Sequence, residues 1–290
     1  NHIPWQTLHP NEHGDWISQR NDSFDTFIPT APEKKFDSKC KSYFIAQSLG
    51  TATNRDAWVY NFSRPELEIN IQKTINHYNH QRNLFLKGEI KEPQTDSLLG
   101  TWTRDWLNQI KRNTVFIEKK EEYRQTIYRP FVKVNSYFDD DLNQERYRLP
   151  QIFPQNEMKN LVICVTGVAA GKDFSSLITN IIPNLDTLEK AQCFPLYYYE
   201  ERPKSSPTLF DAATDTSTGS ASGEYVRRDG VSDFIWERAK KQYSAKNITK
   251  EDIFYYVYGF LHCPSYRETF ANDLKKMLPR IPLVEDVRDF

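Results

Sequence analysis

The stretch VICVTGVAAGKDFSS (residues 162–176) has the look of a phosphate-binding loop: a β-branched apolar run, then small residues, then Gly171 and Lys172. A nucleotide loop of the form G-x-x-x-x-G-K-[ST] wraps phosphates with backbone N–H groups and holds Mg²⁺ with the final hydroxyl. Here only three residues separate Gly167 from Gly171, and Asp173 occupies the hydroxyl position. A carboxylate there repels phosphate and cannot replace the hydroxyl ligand. The stretch therefore reads as a buried strand leaving a sheet through a small-residue turn. Lys172, at a strand end, can still meet a phosphate of another kind.

Other reactive groupings are sparse. His9 and His13, four apart and followed by Asp15, would share a face if helical, but Pro10 and Gly14 oppose a helix and leave exposed loop histidines. Glu118 and Lys120 match the E-x-K half of a nuclease metal site, with Asp105 as the nearest partner. A Mg²⁺-dependent nuclease or hydrolase built on Asp105, Glu118 and Lys120 is thus the alternative enzymatic reading. Asp139, Asp140 and Asp141 read as a solvated turn. No G-x-S-x-G nucleophile elbow is present. No Pro-Pro dipeptide is present either, so the N-P-P-Y-type loop with which amino-methyltransferases hold a flipped base is missing. Catalytic and metal-ligating residues are therefore not assigned. The four cysteines, Cys40, Cys164, Cys193 and Cys263, are widely spaced and read as reduced thiols.

TNRDAWVYNFS (residues 53–63) is richer, with amides, a guanidinium, a carboxylate and aromatic rings together. Arg pairs bidentately with guanine or phosphate and Asn with adenine. A turn in which Asn54 and Asp56 satisfy their own backbone explains the same residues equally well.

The elements that must position these groups follow from capping and periodicity. Ser63, Pro65 and Glu66 form a capping-box start, and Leu67, Ile71, Ile75 and Tyr78 make one apolar stripe. A second helix is expected over residues 98–112, with Trp102, Trp106 and Ile110 on one face. Strands are expected at 114–118, 127–134, 161–165 and 193–199. Thr249 to Asp252 opens a helix carrying Ile253, Tyr256, Val257, Phe260 and Leu261, which Pro264 stops. Ser265 and Glu268 suggest another capping box, with Phe270 and Leu274 behind it, and Arg280 and Ile281 an extended tail. Residues 201–223, ERPKSSPTLFDAATDTSTGSASG, are nearly all small, polar or turn-forming and predict a long mobile loop.

Composition narrows the classes. The chain has 290 residues, 16 Tyr, 18 Phe and only 10 Gly, which disfavours dinucleotide or S-adenosylmethionine loops that need close backbone approach. Mean hydropathy is −0.71, and no apolar run approaches the roughly 20 residues of a membrane span. No signal peptide is visible, so a soluble, cytoplasmic protein is expected. A net charge of −1 gives no global sign of nucleic-acid binding, although phosphate contact depends on local clusters.

Taken together, TNRDAWVYNFS, QCFPLYYYE (192–200), RRDGVSD (227–233) and ITKEDIFYYVYGFLHCPSYRETFANDLKKMLPRIPLV (248–284) resemble the C-terminal specificity region of single-polypeptide, type ISP, restriction-modification enzymes. The likeness runs from about Trp5 to the end, in long ungapped words in the right order. Such enzymes join nuclease, helicase-like ATPase, adenine-N6 methyltransferase and target recognition domain. The resemblance implies a DNA-recognition module for defence against foreign DNA, presenting the target adenine to a methyltransferase domain on another part of the polypeptide. It implies no cofactor for this segment, with S-adenosylmethionine, ATP and Mg²⁺ serving the parent enzyme. Its partners would be double-stranded DNA and the methyltransferase and helicase-nuclease modules. Candidate DNA-contacting residues are Asn54, Arg55, Lys172, Arg227, Arg228, Lys240 and Lys241. The expected organisation is a connector and helical region over 1–112, following a methyltransferase domain, and a target recognition domain over 113–290. The expected class is mixed α/β (α+β): a curved mixed sheet flanked by helices, preceded by a helical or irregular connector.

Overall fold

The computed structural model describes all residues except 1–4, 6, 18–19, 35, 94–95, 97–98, 101, 203–223, 244–246 and 288–289. The loop expected over 201–223 lies outside the described residues from 203 onward. The chain opens with α1 (Asp22–Asp25), β1 (Ile28–Pro29), β2 (Ser48–Leu49), α2 (Asp56–Val59) and β3 (Tyr60–Asn61). The long α3 (Arg64–Leu86) and α4 (Arg104–Lys111) precede the hairpin β4 (Tyr123–Arg129) and β5 (Val132–Tyr137), then α5 (Leu149–Ile152). Next come β6 (Val162–Val165), β7 (Ser176–Thr179), β8 (Ile182–Pro183), β9 (Gln192–Pro195), β10 (Tyr197–Glu201) and β11 (Tyr225–Asp229). Helices α6 (Asp233–Gln242), α7 (Lys250–Phe260), α8 (Pro264–Thr269) and α9 (Ala271–Lys276) lead to β12 (Arg280–Ile281).

The mixed α+β class matches the expectation, but the β-structure is divided. One four-stranded sheet has the order β2-β9-β6-β7, another β3-β5-β4-β8, and β1-β12 and β10-β11 are two-stranded. The first is antiparallel; the second is mixed, because β8 runs parallel to β4.

Strand β6 explains why VICV is apolar throughout. Ile163 and Val165 face a core with Phe44, Phe194, Phe254 and Val257. Val162 and Cys164 face the opposite core, with Phe138, Ile152 and Cys193. Alternation in a strand covered on both sides gives an unbroken apolar run. Cys164 and Cys193 are free thiols 3.8 Å apart across that ladder.

Ser63 caps α3 by accepting the Glu66 N–H, and the stripe Leu67, Ile71, Ile75 and Tyr78 is buried. That stripe packs with Trp106, Ile110, Tyr123, Val134 and Tyr137, so α3 and α4 share a core with the β4–β5 hairpin. Helix α7 has its full capping box, Thr249 with Asp252.

Several expectations are corrected. Residues 114–118 join no sheet; Asn79 on α3 instead bonds both the N–H and the carbonyl of Phe116. The strand expected at 127–134 is a hairpin that turns at Pro130 and Phe131. The strand expected at 193–199 breaks at Leu196 into β9 and β10. Helix α4 begins at Arg104, and Trp102 stacks on Tyr78 from outside it. Ser265 does not cap α8: Pro264 starts that helix in its first turn, behind Cys263. The extended tail expected at Arg280–Ile281 is present as β12, which pairs with β1.

Candidate nucleic-acid interface

The Gly171–Lys172 loop joins β6 to β7, an antiparallel neighbour rather than a helix. The helix N-terminus that completes a nucleotide loop is therefore replaced by a strand. Its exposed amides are already engaged: Gly171 N–H donates to Glu189 Oε1 at 2.8 Å and Lys172 N–H to Oε2 at 3.1 Å. These bonds, Gly171 foremost, hold the Glu189 carboxyl below its usual range. Gly167 is required for close approach, since a Cβ there would lie 2.1 Å from the Lys190 carbonyl oxygen. Asp173 pairs with Lys275 at 3.2 Å. The loop thus carries its own anion, and the Lys172 side chain remains exposed.

The ribbon β10–β11 presents Arg227 and Arg228. Register pairs Tyr199 with Arg227 and Tyr198 with Arg228, so the two arginines point to opposite faces. On one face the Arg227 guanidinium lies over Tyr197, 4.4 Å from the ring centre. On the other, Arg228 pairs with Glu200 at 3.0 Å. Lys250 ties the ribbon to α6, reaching Asp229 at 3.1 Å and Asp233 at 2.7 Å. On α6, Lys240 lies over Trp236 and beside Glu237, and Lys241 is exposed. Four candidate cations thus belong to one continuous ribbon–helix unit. Lys172 stands on a separate loop.

Asn54 and Arg55 do not join that unit. Asn54, at φ +52°, is exposed and donates its amide to Gln144. Arg55 is buried, with 1% of its surface exposed. Its guanidinium stacks on Trp106 at 4.1 Å, donates to Thr103 Oγ1, and pairs with Asp105 at 3.3 Å. Burial pushes its pKa down, and Asp105 opposes that shift. The geometry makes Arg55 a fold element, and the turn differs from the one expected: Thr53 Oγ1 accepts the Arg55 N–H and donates to Asp56, while the Asn54 side chain reaches Gln144.

Asp105 is therefore held by Arg55, whereas Glu118 accepts from Lys120, Tyr123 and Gln72. Burial raises the Glu118 pKa, but those three bonds outweigh it and leave the carboxyl lowered. Among the described residues, no group of three or more His, Cys, Asp or Glu side chains is placed to hold a metal ion. His13 faces Glu12 and Asp25, each at 3.7 Å. The acidic triplet departs from a solvated turn: Asp139 is 2% exposed and takes Lys119 Nζ at 2.6 Å. Burial, aided by Asp139, pushes the Asp141 carboxyl up to about 6.

Two arrangements were not legible in the sequence. A cleft of about 750 Å³ between the ribbon and the β4–α5 region is lined by Arg124, Arg146, Arg148, Glu122, Tyr198 and Tyr225, among others. Arg124 comes from β4, whereas Arg146 and Arg148 come from the segment before α5, and only the Arg146-Tyr147-Arg148 spacing hints at the cluster. Ser176 and His262 are also paired at 3.1 Å. Arg267 donates to His262 Nδ1 at 3.2 Å, which leaves the neutral ring's proton on Nε2, facing Ser176. That tautomer cannot serve as the serine's base.

Among the described residues no helix is long and apolar enough to cross a membrane. A search of curated proteins finds no match. Solved structures do match. The type ISP restriction-modification enzyme LlaBIII bound to DNA is 28% identical with a TM-score of 0.78, over 98% of this chain and 17% of that one. The DrdV–DNA complex is 29% identical with a TM-score of 0.80, over 97% of this chain and 26% of that one. A nuclease-deletion mutant of LlaGI, with a DNA substrate mimic, is 28% identical with a TM-score of 0.74, over 99% and 24%. The chain therefore spans about a quarter or less of the length of these proteins. The family model for the Type ISP C-terminal specificity domain matches residues 42–290, and the chain belongs to that family.

Proposed function

We propose that this chain is the DNA-recognition module of a larger restriction-modification enzyme, reading duplex sequence and holding the target adenine toward a methyltransferase domain of the same polypeptide. The observation that carries this reading is likeness over at least 97% of the chain to three proteins solved with DNA or a DNA mimic. The ribbon–helix unit supports it, because cations on a two-stranded ribbon and the following helix suit phosphate contact. No catalytic step is assigned to these residues. Residues 1–112 would connect to the methyltransferase domain and 113–290 would form the target recognition domain, in a cytoplasmic enzyme acting against foreign DNA. S-adenosylmethionine, ATP and Mg²⁺ would serve the methyltransferase and helicase-nuclease modules. The loop closest to a nucleotide site does not fit ATP, since Glu189 takes its amides and Asp173 opposes phosphate.

A salt titration of duplex binding tests the reading. Each phosphate contact removed flattens the slope of log K against log salt by about 1. Arg227→Ala and Arg228→Ala, made separately, distinguish the two ribbon faces. The expected outcome is a shallower slope for at least one of them. Unchanged affinity and slope in the double variant would remove the ribbon from the footprint.

A further inference from the structure

Phe131 stands at the tip of the β4–β5 hairpin with 94% of its surface exposed. Arg129 pairs with Val132 across the ladder, so Pro130 and Phe131 form a two-residue turn. Proline fixes its φ near −65°, and Phe131 follows at φ +64°. That is the third position of a type II turn, where Gly or Asn is the usual occupant. A phenylalanine there strains the backbone, and its exposed ring recovers nothing by burial.

The base of the tip is braced. The ladder slips between Ile127 and Arg129, a bulge that re-aims the hairpin end. The Arg129 guanidinium lies over Tyr128 at 3.9 Å and donates to the Tyr128 carbonyl at 2.7 Å. Pro130 and Val132 adjoin the ring along the chain. Two residues to either side of it stand the cation Arg129, which also donates to Asn184 Oδ1 at 3.3 Å and lies 3.9 Å from Asp186, and the exposed Lys133. Phe131 belongs to none of the apolar clusters among the described residues. Protein-binding hot spots sit in packed apolar surroundings that exclude water, whereas an exposed aromatic ring on a turn tip, with a cation two residues to either side, is the form of a DNA wedge.

We propose that Phe131 enters the base stack of duplex DNA, with Arg129 and Lys133 on the flanking phosphates. The inference rests on the DNA-recognition reading above and adds an unstacking step to it. Flexible pyrimidine–purine steps are the easiest to open, so TA and CA steps are the expected sites.

The test uses duplexes in which 2-aminopurine replaces the adenine of TA and CA steps, titrated with the wild-type chain, Phe131→Gly and Phe131→Trp. Glycine accepts φ +64°, so the glycine variant keeps its melting temperature. Wild type and the tryptophan variant are expected to raise 2-aminopurine emission. The glycine variant is expected to lose that rise and bind roughly 5- to 160-fold more weakly, as for loss of one aromatic–base stack. Its salt slope stays unchanged, because no phosphate contact is lost. Binding without an emission change, or an equal change in the glycine variant, overturns the wedge and leaves a protein module as the tip's occupant. Failure of the wild-type chain to bind duplex overturns the DNA reading, and the wedge with it.

Discussion

Arg55→Ala separates a fold role from a DNA role at a single residue. The side chain is fully buried and packs its guanidinium on Trp106. Replacing a large core side chain by alanine costs about 2–3 kcal/mol where the site collapses partly. The Leu142 carbonyl also loses its donor, worth about 1 kcal/mol. Asp105 is 36% exposed, so water rehydrates it and its orphaning adds at most about 1 kcal/mol, less than for a fully buried pair. The loss is therefore about 4 kcal/mol, or a drop of about 7 °C in melting temperature for a chain of this size. Arg55→Met keeps most of the volume and should lose about half as much. Calorimetric melts of the three proteins, with duplex affinity measured below all three transitions, make the comparison. The reasoning fails if Arg55→Ala melts with the wild type while duplex affinity and salt slope fall, because that is the signature of a phosphate contact.

Two further perturbations probe how the candidate interface is held. Glu189→Ala removes the acceptor for the Gly171 and Lys172 amides, which should exchange hydrogen at least about tenfold faster; unchanged exchange would contradict the assigned bonds. In the wild type, the folded-state pKa of Glu189 lies below its ordinary 4.5. The carboxylate's contribution is therefore complete above pH 4.5 and disappears as pH falls through the lowered value. Protection of both amides, corrected for intrinsic rates, should follow that descent. Gly230→Ala would place a Cβ 2.0 Å from the Pro195 carbonyl oxygen, at the point where Gly230 N–H bonds Leu196 O at 2.7 Å. A loss of about 3 kcal/mol or more is expected in urea unfolding, since backbone has to move; a neutral result would mean that the ribbon's root is pliable.

The sequence by itself determined the elements whose rules are local. Ser63 with the stripe from Leu67 to Tyr78 marked α3, Thr249 with Asp252 marked α7, and VICV marked a doubly covered strand. Caps and periodicity act between residues a turn or two apart, so they are readable from one strip of sequence. The specificity-domain likeness was legible in the quoted words for the same reason: they span whole elements. The tertiary structure decided what each charged group does. Arg55 looked like a base reader until Thr103, Asp105 and Trp106, about fifty residues downstream, enclosed it. Glu189, seventeen and eighteen residues beyond Lys172 and Gly171, filled the loop that resembled a phosphate cradle. Adjacent Arg227 and Arg228 were sent to opposite faces by a ladder formed with β10. A side chain's charge is fixed by its chemistry, but its partner and its access to solvent depend on which distant segments pack against it.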